Sequence, residues 1–177
     1  MTAGRSANST SKDWGTPIEY VEAVRQVFNG DIALDPCSNR HSIVNAETEY
    51  RLPRQDGLRK PWDFPTIYVN PPYGRDVVRH TSIADWLLRC ASAHAVYDSE
   101  VLALVPVLTD SGPWKEYIWG RAAAICFFHK RPHFLLNGRP SGRAIIPCAM
   151  VYWGDNFAGL FDAFCQFGEV IPIRHGH

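Results

Sequence analysis

The chain has 177 residues, of which 46% are hydrophobic, 12% are aromatic and 20% are charged, and its 18 basic residues balance 18 acidic ones. This length favours one domain with a sizeable core, and this composition excludes a long disordered chain. The longest apolar runs, residues 101–108 and 122–128, are too short to cross a bilayer, so we predict a soluble protein without a membrane partner.

The first predicted helix follows a polar tail. Residues 1–13 are rich in serine and threonine and have no apolar core, which predicts a flexible tail rather than a secretory signal. A capping box with proline at the first helical position is indicated by residues 16–19, TPIE. We therefore predict a helix over residues 18–28, capped by Thr16 and ended by the Asn-Gly pair at residues 29–30.

Two early strands are predicted to carry polar side chains at their ends. Residues 32–34 form a short apolar run followed by Asp35, and residues 66–69 form a β-branched and aromatic run that stops at Asn70. In mostly parallel sheets, ligands bind beyond the carboxyl ends of the strands. We expect Asp35 and Asn70 to face the same crevice.

Helices and strands alternate through the remaining chain. We predict a short strand near Tyr50, helices over residues 82–97, 114–121 and 156–167, and strands over residues 101–107, 122–128, 147–153 and 170–173. This alternation indicates a three-layer α/β domain over residues 14–173. Its sheet is expected to be mostly parallel with one late antiparallel strand.

The most informative motif is the tetrapeptide that ends the strand at residues 66–69, Asn70-Pro71-Pro72-Tyr73. The two prolines freeze the turn, because each fixes φ and lacks a backbone N–H. One interpretation is a rigid turn whose asparagine caps the backbone. The other is a pocket for a planar amino group, in which the Asn70 amide oxygen and the Pro71 carbonyl accept its two hydrogens and Tyr73 stacks on the ring.

Four further motifs accompany this tetrapeptide. In chain order the five motifs are Asp13-Trp14-Gly15-Thr16-Pro17, Leu34-Asp35-Pro36-Cys37-Ser38, Asp56-Gly57-Leu58 before Trp62, Asn70-Pro71-Pro72-Tyr73, and Phe127 with Lys130-Arg131-Pro132-His133-Phe134. The ordered set resembles the phage-type Dam (DNA adenine methylase) family, which uses S-adenosylmethionine to methylate the N6 amine of adenine in DNA. The resemblance covers residues 14–153 and implies a Rossmann-like methyltransferase fold.

The resemblance implies roles for particular residues. It assigns catalysis to the tetrapeptide, Asn70, Pro71, Pro72 and Tyr73. It assigns S-adenosylmethionine binding to the first three motifs together with Asn70, and the residues concerned are Trp14, Gly15, Thr16, Asp35, Pro36, Cys37, Ser38 and Asp56. Each role has a competing structural interpretation. Asp35 and Thr16 could serve in a turn or as a helix cap, Trp14 could pack in the core, and Asp56 could be a solvated loop residue.

Four residues are candidates for contact with DNA. Arg75 and Arg79 follow the catalytic turn, where they are placed to meet a phosphate backbone. Arg131 and Phe134 lie in a stretch between residues 126 and 145 that is basic and lacks acidic residues. Solvated surface charge is the competing interpretation for each arginine.

The sequence leaves several alternatives open. No glycine-rich loop follows the first strand, and the length leaves no room for a separate target-recognition domain. The same chemistry could act on cytosine N4, RNA adenine or a protein glutamine, and a catalytically silent nucleic-acid-binding protein could share the fold. The chain could act as a monomer or a homodimer. Five widely spaced cysteines without CxxC or Cys/His ligand spacing predict a reduced, cytoplasmic protein, in a bacterial or phage-infected cell, without a metal.

Overall fold

A computed structural model describes residues 14–142, 144 and 146–173. The tail predicted at residues 1–13, including Asp13 of the first motif, lies outside the described residues. The strands are β1 (Trp14–Gly15), β2 (Leu34–Ser38), β3 (Thr48–Arg51), β4 (Thr66–Val69), β5 (Glu100–Pro106), β6 (Ala124–Phe128), β7 (Leu135–Leu136), β8 (Arg139–Pro140), β9 (Cys148–Trp153) and β10 (Gly168–Pro172). The helices are α1 (Ile18–Val27), α2 (Ile83–Tyr97), α3 (Gly112–Tyr117), α4 (Phe157–Phe164) and the 3-10 helix η1 (Gly57–Arg59).

The central sheet has the strand order β10-β6-β9-β5-β4-β2-β3. β2 pairs in parallel with both β3 and β4, and β4 pairs in parallel with β5. β9 lies between β5 and β6 and runs antiparallel to both, while β10 runs antiparallel to β6 at the edge. A mostly parallel sheet is therefore confirmed. The expectation of one antiparallel strand is wrong, because this sheet contains two.

The connections explain the two reversed strands. No helix lies between β6 and β9 in the described part of the chain, so β9 can return beside β6 in the opposite direction. α4 then carries the chain from β9 past β6 to β10, and such a helical crossover joins strands that run in the same direction. The second antiparallel strand therefore follows from the first.

Two apolar cores cover opposite faces of the central sheet. One core packs α1 and α4 against alternate strand residues that include Tyr68 and Leu102. The other packs α2 and α3 against the intervening residues, such as Val69 and Ala103. Successive side chains of a strand point to opposite faces, so these sets lie on opposite sides of the sheet. The result is the three-layer arrangement that the sequence predicts.

Helix α2 begins with a capping box immediately before Ile83. The backbone N–H of Ala84 donates to Ser82 Oγ at 3.3 Å, and the backbone N–H of Ser82 donates to Asp85 Oδ2 at 2.8 Å. These bonds satisfy donors near the helix N-terminus and confirm its predicted start. α2 has 15 residues, and no helix in the described ranges combines the length and apolar character needed to span a membrane.

Strand β2 begins and ends later than the sequence predicts. The apolar residues at 32–33 precede it, and Asp35, Pro36 and Cys37 lie inside it rather than after it. Pairing with β4 occurs at Leu34, whereas pairing with β3 continues to Ser38 across a shift in register. Pro36 lies within that shift, where its missing N–H interrupts no regular ladder. Asp35 therefore lies where β2 parts from β4.

A second, smaller sheet has the order β1-β7-β8 and was not predicted. β7 and β8 form a hairpin whose turn residues, Asn137 and Gly138, have φ values of 52° and 76°. Asn-Gly is a strong signal for such a hairpin, because its turn needs positive φ at both positions. β1 pairs Trp14 with Leu136, which brings the first sequence motif beside the last.

Gly57 allows η1 to pack directly on β2. A Cβ added at Gly57 would lie 1.8 Å from the carbonyl oxygen of Pro36, well inside any permitted contact. Position 57 therefore requires glycine, because the backbones of η1 and β2 approach each other so closely. The motif that contains Gly57 packs against the strand that carries Asp35.

We expect Gly57→Ala to lower the free energy of unfolding by about 1–3 kcal/mol, because the methyl group must push η1 away from β2. Gly112→Ala is the matched control, since a Cβ there meets no atom within 4 Å. Urea denaturation compares the two variants. Equal midpoints for them would contradict the close-approach explanation.

Candidate active site

A cleft lies beside the ends of β2 and β4, with β1 on one side. It is lined by Trp14, Gly15, Thr16, Asp35, Cys37, Ser38, Asn39, Ser42, Val44, Tyr68 and Asn70. Asp35 and Asn70, which the sequence places in one crevice, both line it. Seven of the residues that the resemblance assigns to cofactor binding therefore contribute to one cleft.

Thr16 links the N-terminal segment to the turn that begins at Asn70. Its hydroxyl lies 2.6 Å from the Tyr68 hydroxyl and accepts a hydrogen bond from Asn70 Nδ2 at 3.2 Å. The prediction that Thr16 caps α1 is wrong, because Pro17 occupies the cap position and no side chain caps the helix there. The Thr16 side chain is buried, and its oxygen forms hydrogen bonds with Tyr68 and Asn70 rather than with the helix N-terminus.

Asn70 follows β4 directly and is half-buried. Because its Nδ2 donates to Thr16, the amide is oriented and its Oδ1 is the atom that accepts hydrogen bonds. Pro71 is buried and Pro72 is exposed, and neither has a backbone N–H that needs a partner. The turn therefore presents a fixed acceptor at the edge of the cleft.

Tyr73 is anchored at both its hydroxyl and its ring. The hydroxyl donates to the Leu104 carbonyl at 3.2 Å and lies 3.7 Å from Cys148 Sγ. Its ring meets Phe134 edge to face, with centroids 6.0 Å apart, and Phe134 meets Trp14 in the same way at 6.4 Å. Burial raises the pKa of the Tyr73 hydroxyl well above its usual range, so it remains a donor.

Asp35 is the buried acid of the cleft, with 4% of its surface exposed. Its Oδ1 accepts a hydrogen bond from the backbone N–H of Cys37 at 3.1 Å. Burial raises the pKa of Asp35 to about 7, and the nearby Glu49 adds to that rise, while the Cys37 N–H opposes it. A carboxylate in such surroundings is stabilised by a cationic ligand.

Asp56 and Pro36 are not among the residues that line the cleft. Asp56 Oδ1 accepts from the Leu58 N–H at 3.1 Å and so caps η1. Its Oδ2 lies 3.6 Å from Arg59 Nε and 3.9 Å from Arg79 Nε. Pro36 is buried against Gly57, so both residues support the walls of the site.

The candidate DNA-binding residues divide into exposed and buried ones. Arg75 and Arg131 are exposed, and Arg79 is half-buried with its Nη1 2.8 Å from Asp76 Oδ2. Phe134 is buried, with 7% exposed, between Trp14 and Tyr73. Its position makes it a support for the Tyr73 ring.

Four lining residues were missed by sequence reasoning. They are Asn39, Ser42, Val44 and Tyr68. Asn39 Nδ2 donates to the Trp14 carbonyl at 3.4 Å, and Asn39 Oδ1 accepts from the His41 N–H at 2.8 Å. The polar run that follows β2 could have indicated this loop, whereas Tyr68 gives no sequence signal because it looks like any core residue of a strand.

The groups gathered in the cleft suit hydrogen bonding and the binding of a cation. They comprise two side-chain amides, several hydroxyls and one carboxylate, and burial raises the pKa of the Cys37 thiol well above its usual range. Such a thiol remains protonated and therefore is not an activated nucleophile. Within the described ranges, no three His, Cys, Asp or Glu side chains are grouped so that they could hold a metal ion.

A comparison with protein families identifies the family to which the chain belongs. A family model described as DNA N-6-adenine-methyltransferase (Dam) matches residues 5–148, which include the cleft residues and the turn formed by residues 70–73. No curated protein gives a significant match to the chain. The family match covers most of the sequence and confirms the resemblance. The chain therefore belongs to the DNA N-6-adenine-methyltransferase (Dam) family.

Proposed function

We propose that the protein transfers a methyl group from S-adenosylmethionine to the exocyclic N6 amine of adenine in DNA, on a Rossmann-like methyltransferase fold. The observation that carries this proposal is the position of Asn70. Its amide is held by Thr16 at the edge of the cleft that contains the buried Asp35. Membership of the Dam family supports adenine as the base.

The lining of the cleft carries the kinds of group that S-adenosylmethionine would need. The buried Asp35 carboxylate favours a positively charged ligand, and the hydroxyl and amide groups around it can bind polar parts of a nucleoside and an amino acid. Trp14, Gly15 and Thr16 would hold the ligand from one side, and Asp35 to Ser38 from the other. When bound, the cofactor supplies a methyl group carried on a cationic sulfonium.

The catalytic turn would activate the acceptor nitrogen. An aromatic amine is a poor nucleophile, because its lone pair is delocalised into the ring. Hydrogen bonds accepted by Asn70 Oδ1 and the Pro71 carbonyl would favour a pyramidal nitrogen and stabilise the positive charge that develops on it. Tyr73, whose hydroxyl is anchored on Leu104, would present its ring to the extruded base.

Three arginines would contact the DNA backbone. Arg75 and Arg79 lie next to the catalytic turn, and Arg131 lies on the segment before Phe134. Phosphate contacts fix the position of a protein on a duplex without reading its sequence. Phe134 would act inside the site by supporting the ring of Tyr73.

We expect Asn70→Ala to lower the rate of methylation of DNA by at least about 100-fold, because it removes an acceptor that stabilises the developing charge. Asn70→Asp keeps an oxygen acceptor and should retain more activity than Asn70→Ala. Nucleoside mass spectrometry of plasmid DNA, after incubation with labelled S-adenosylmethionine, measures N6-methyladenine. Label in cytosine, or only in RNA or protein offered in parallel, would contradict adenine in DNA as the acceptor.

We expect Thr16→Val to lower kcat about tenfold, because valine has the shape of threonine but cannot accept the hydrogen bond from Asn70 Nδ2. Thr16→Ser is the matched control, since it keeps the hydroxyl, and it should lie close to the native enzyme. Single-turnover methylation with saturating cofactor compares them. Equal loss in both variants would show that packing, rather than orientation of Asn70, is the role of Thr16.

We expect S-adenosylmethionine to bind about tenfold more tightly at pH 8 than at pH 6, because Asp35, with a pKa of about 7, must ionise to meet a cation. Calorimetric titration measures the affinity at each pH. Asp35→Asn should bind more weakly at pH 8 and lose most of the pH dependence. An unchanged pH profile in that variant would assign the titration to another group.

We also expect the stability of the ligand-free protein to depend on Asp35. Because burial raises its pKa, the folded state holds the proton that the unfolded chain releases near pH 4, so stability falls as pH rises from about 4 to about 7. Asp35→Asn should reduce this fall. Urea denaturation between pH 4 and pH 7 measures the free energy of unfolding of both proteins. The same pH dependence in the native protein and in Asp35→Asn would contradict the assignment of this effect to Asp35.

A further inference from the structure

The chain forms a tight loop directly after the catalytic turn. The backbone N–H of Asp76 donates to the Thr81 carbonyl at 2.8 Å, and the Thr81 N–H donates back at 3.1 Å. Asp76 Oδ1 also accepts from the N–H groups of Val78 and Arg79, each at 3.1 Å. Residues 76–81, here named the wedge loop, are therefore held in shape by bonds within the loop itself.

The tip of the wedge loop is apolar and points into solvent. Val77 is 73% exposed and Val78 is 90% exposed, and these are the two highest values among the large hydrophobic residues that the structure describes as exposed. Neither valine belongs to the two apolar cores of the described chain. The fold gains no packing from them.

Local structure does not account for these valines either. Asparagine, aspartate, glycine and serine favour turns, whereas β-branched valine favours strands. Asp76 already supplies the side-chain bonds that close the loop. A single exposed valine needs no explanation, but two adjacent ones at the tip of a closed loop beside the candidate active site call for a partner surface.

The tip lies beside basic residues, which suit the phosphate backbone of a nucleic acid. Arg75 precedes the loop and is exposed, and Arg79 lies within it, where its Nη1 is 2.8 Å from Asp76 Oδ2. Val78 is five positions after Tyr73, so the tip lies within about 18 Å of Tyr73 even if the chain were fully extended. A duplex whose phosphates contact these arginines would therefore meet the valines beside the base that enters the site.

We propose that Val77 and Val78 form an apolar wedge that enters the base stack of duplex DNA next to the extruded adenine. This inference rests on the proposed function. Apolar side chains inserted between base steps unstack them, and they cover the base surfaces left by an extruded nucleotide. The arginines would hold the backbone, while the valines lower the cost of extrusion.

The test compares the double variant V77A/V78A with the native protein on two duplexes. Both duplexes contain an adenine that the native enzyme methylates, located beforehand in plasmid DNA. In one it is paired with thymine, and in the other it faces a mismatched cytosine, which makes extrusion easier. Val96→Ala is the matched control, because Val96 is 68% exposed near the far end of α2, about 20 Å along that helix from its start.

We expect V77A/V78A to lower methylation of the paired duplex by about tenfold or more and that of the mismatched duplex by only a few fold. Thermal unfolding and binding of S-adenosylmethionine should remain native-like, because the valines contact neither core. Val96→Ala should match the native protein on both duplexes. Such a duplex-dependent loss would support the wedge.

Other outcomes overturn the proposal in distinguishable ways. Equal losses on the two duplexes would assign the valines to general binding, and no loss on either would leave them without a role in extrusion. In both cases the native protein still methylates adenine, so the proposed function stands. If the native protein methylates no DNA adenine, the proposed function fails and the wedge fails with it.

Discussion

The hydrogen-bonded contact among Thr16, Tyr68 and Asn70 is the interaction on which the candidate site depends. Tyr68 belongs to a central strand and is fully buried, so it gives the contact a rigid base. Thr16 then joins the segment before α1 to that base and orients Asn70. One hydroxyl therefore fixes both the wall of the cleft and the direction of the Asn70 amide.

The rest of the site is organised around a second constraint, the burial of Asp35. A carboxyl group with a pKa near 7 is costly to ionise in the free protein and becomes favourable when a cation arrives. The backbone of η1 approaches that strand so closely that only glycine fits at position 57. The fold thus holds the Asp35 carboxyl group where its ionisation is unfavourable, with η1 packed tightly against its strand. Such an arrangement is expected where a cationic ligand would supply the compensating charge.

Local signals in the sequence predict much of this fold. The strand at residues 66–69 and the helix that follows Ser82 were found because a β-branched run before two prolines and the helical spacing of apolar residues are both local signals. The partner of Thr16 could not be found, because its bonds join residues 52 and 54 positions apart. Sheet order depends on the same long-range contacts, so the insertion of β9 between β5 and β6 was missed. The hairpin at Asn137-Gly138 had a local signal that was overlooked, and roles in cofactor and DNA binding remain predictions.

In the proposed mechanism, the cleft between Thr16 and Asp35 binds the cofactor beside Asn70. A crystal structure of the protein with S-adenosylhomocysteine, the product left after methyl transfer, would test this placement of the cofactor. We expect the ligand in that cleft, in contact with Asp35 and with its sulfur facing Asn70. A ligand bound elsewhere, such as the apolar groove formed by Trp119, Phe127 and Ile171, would contradict it.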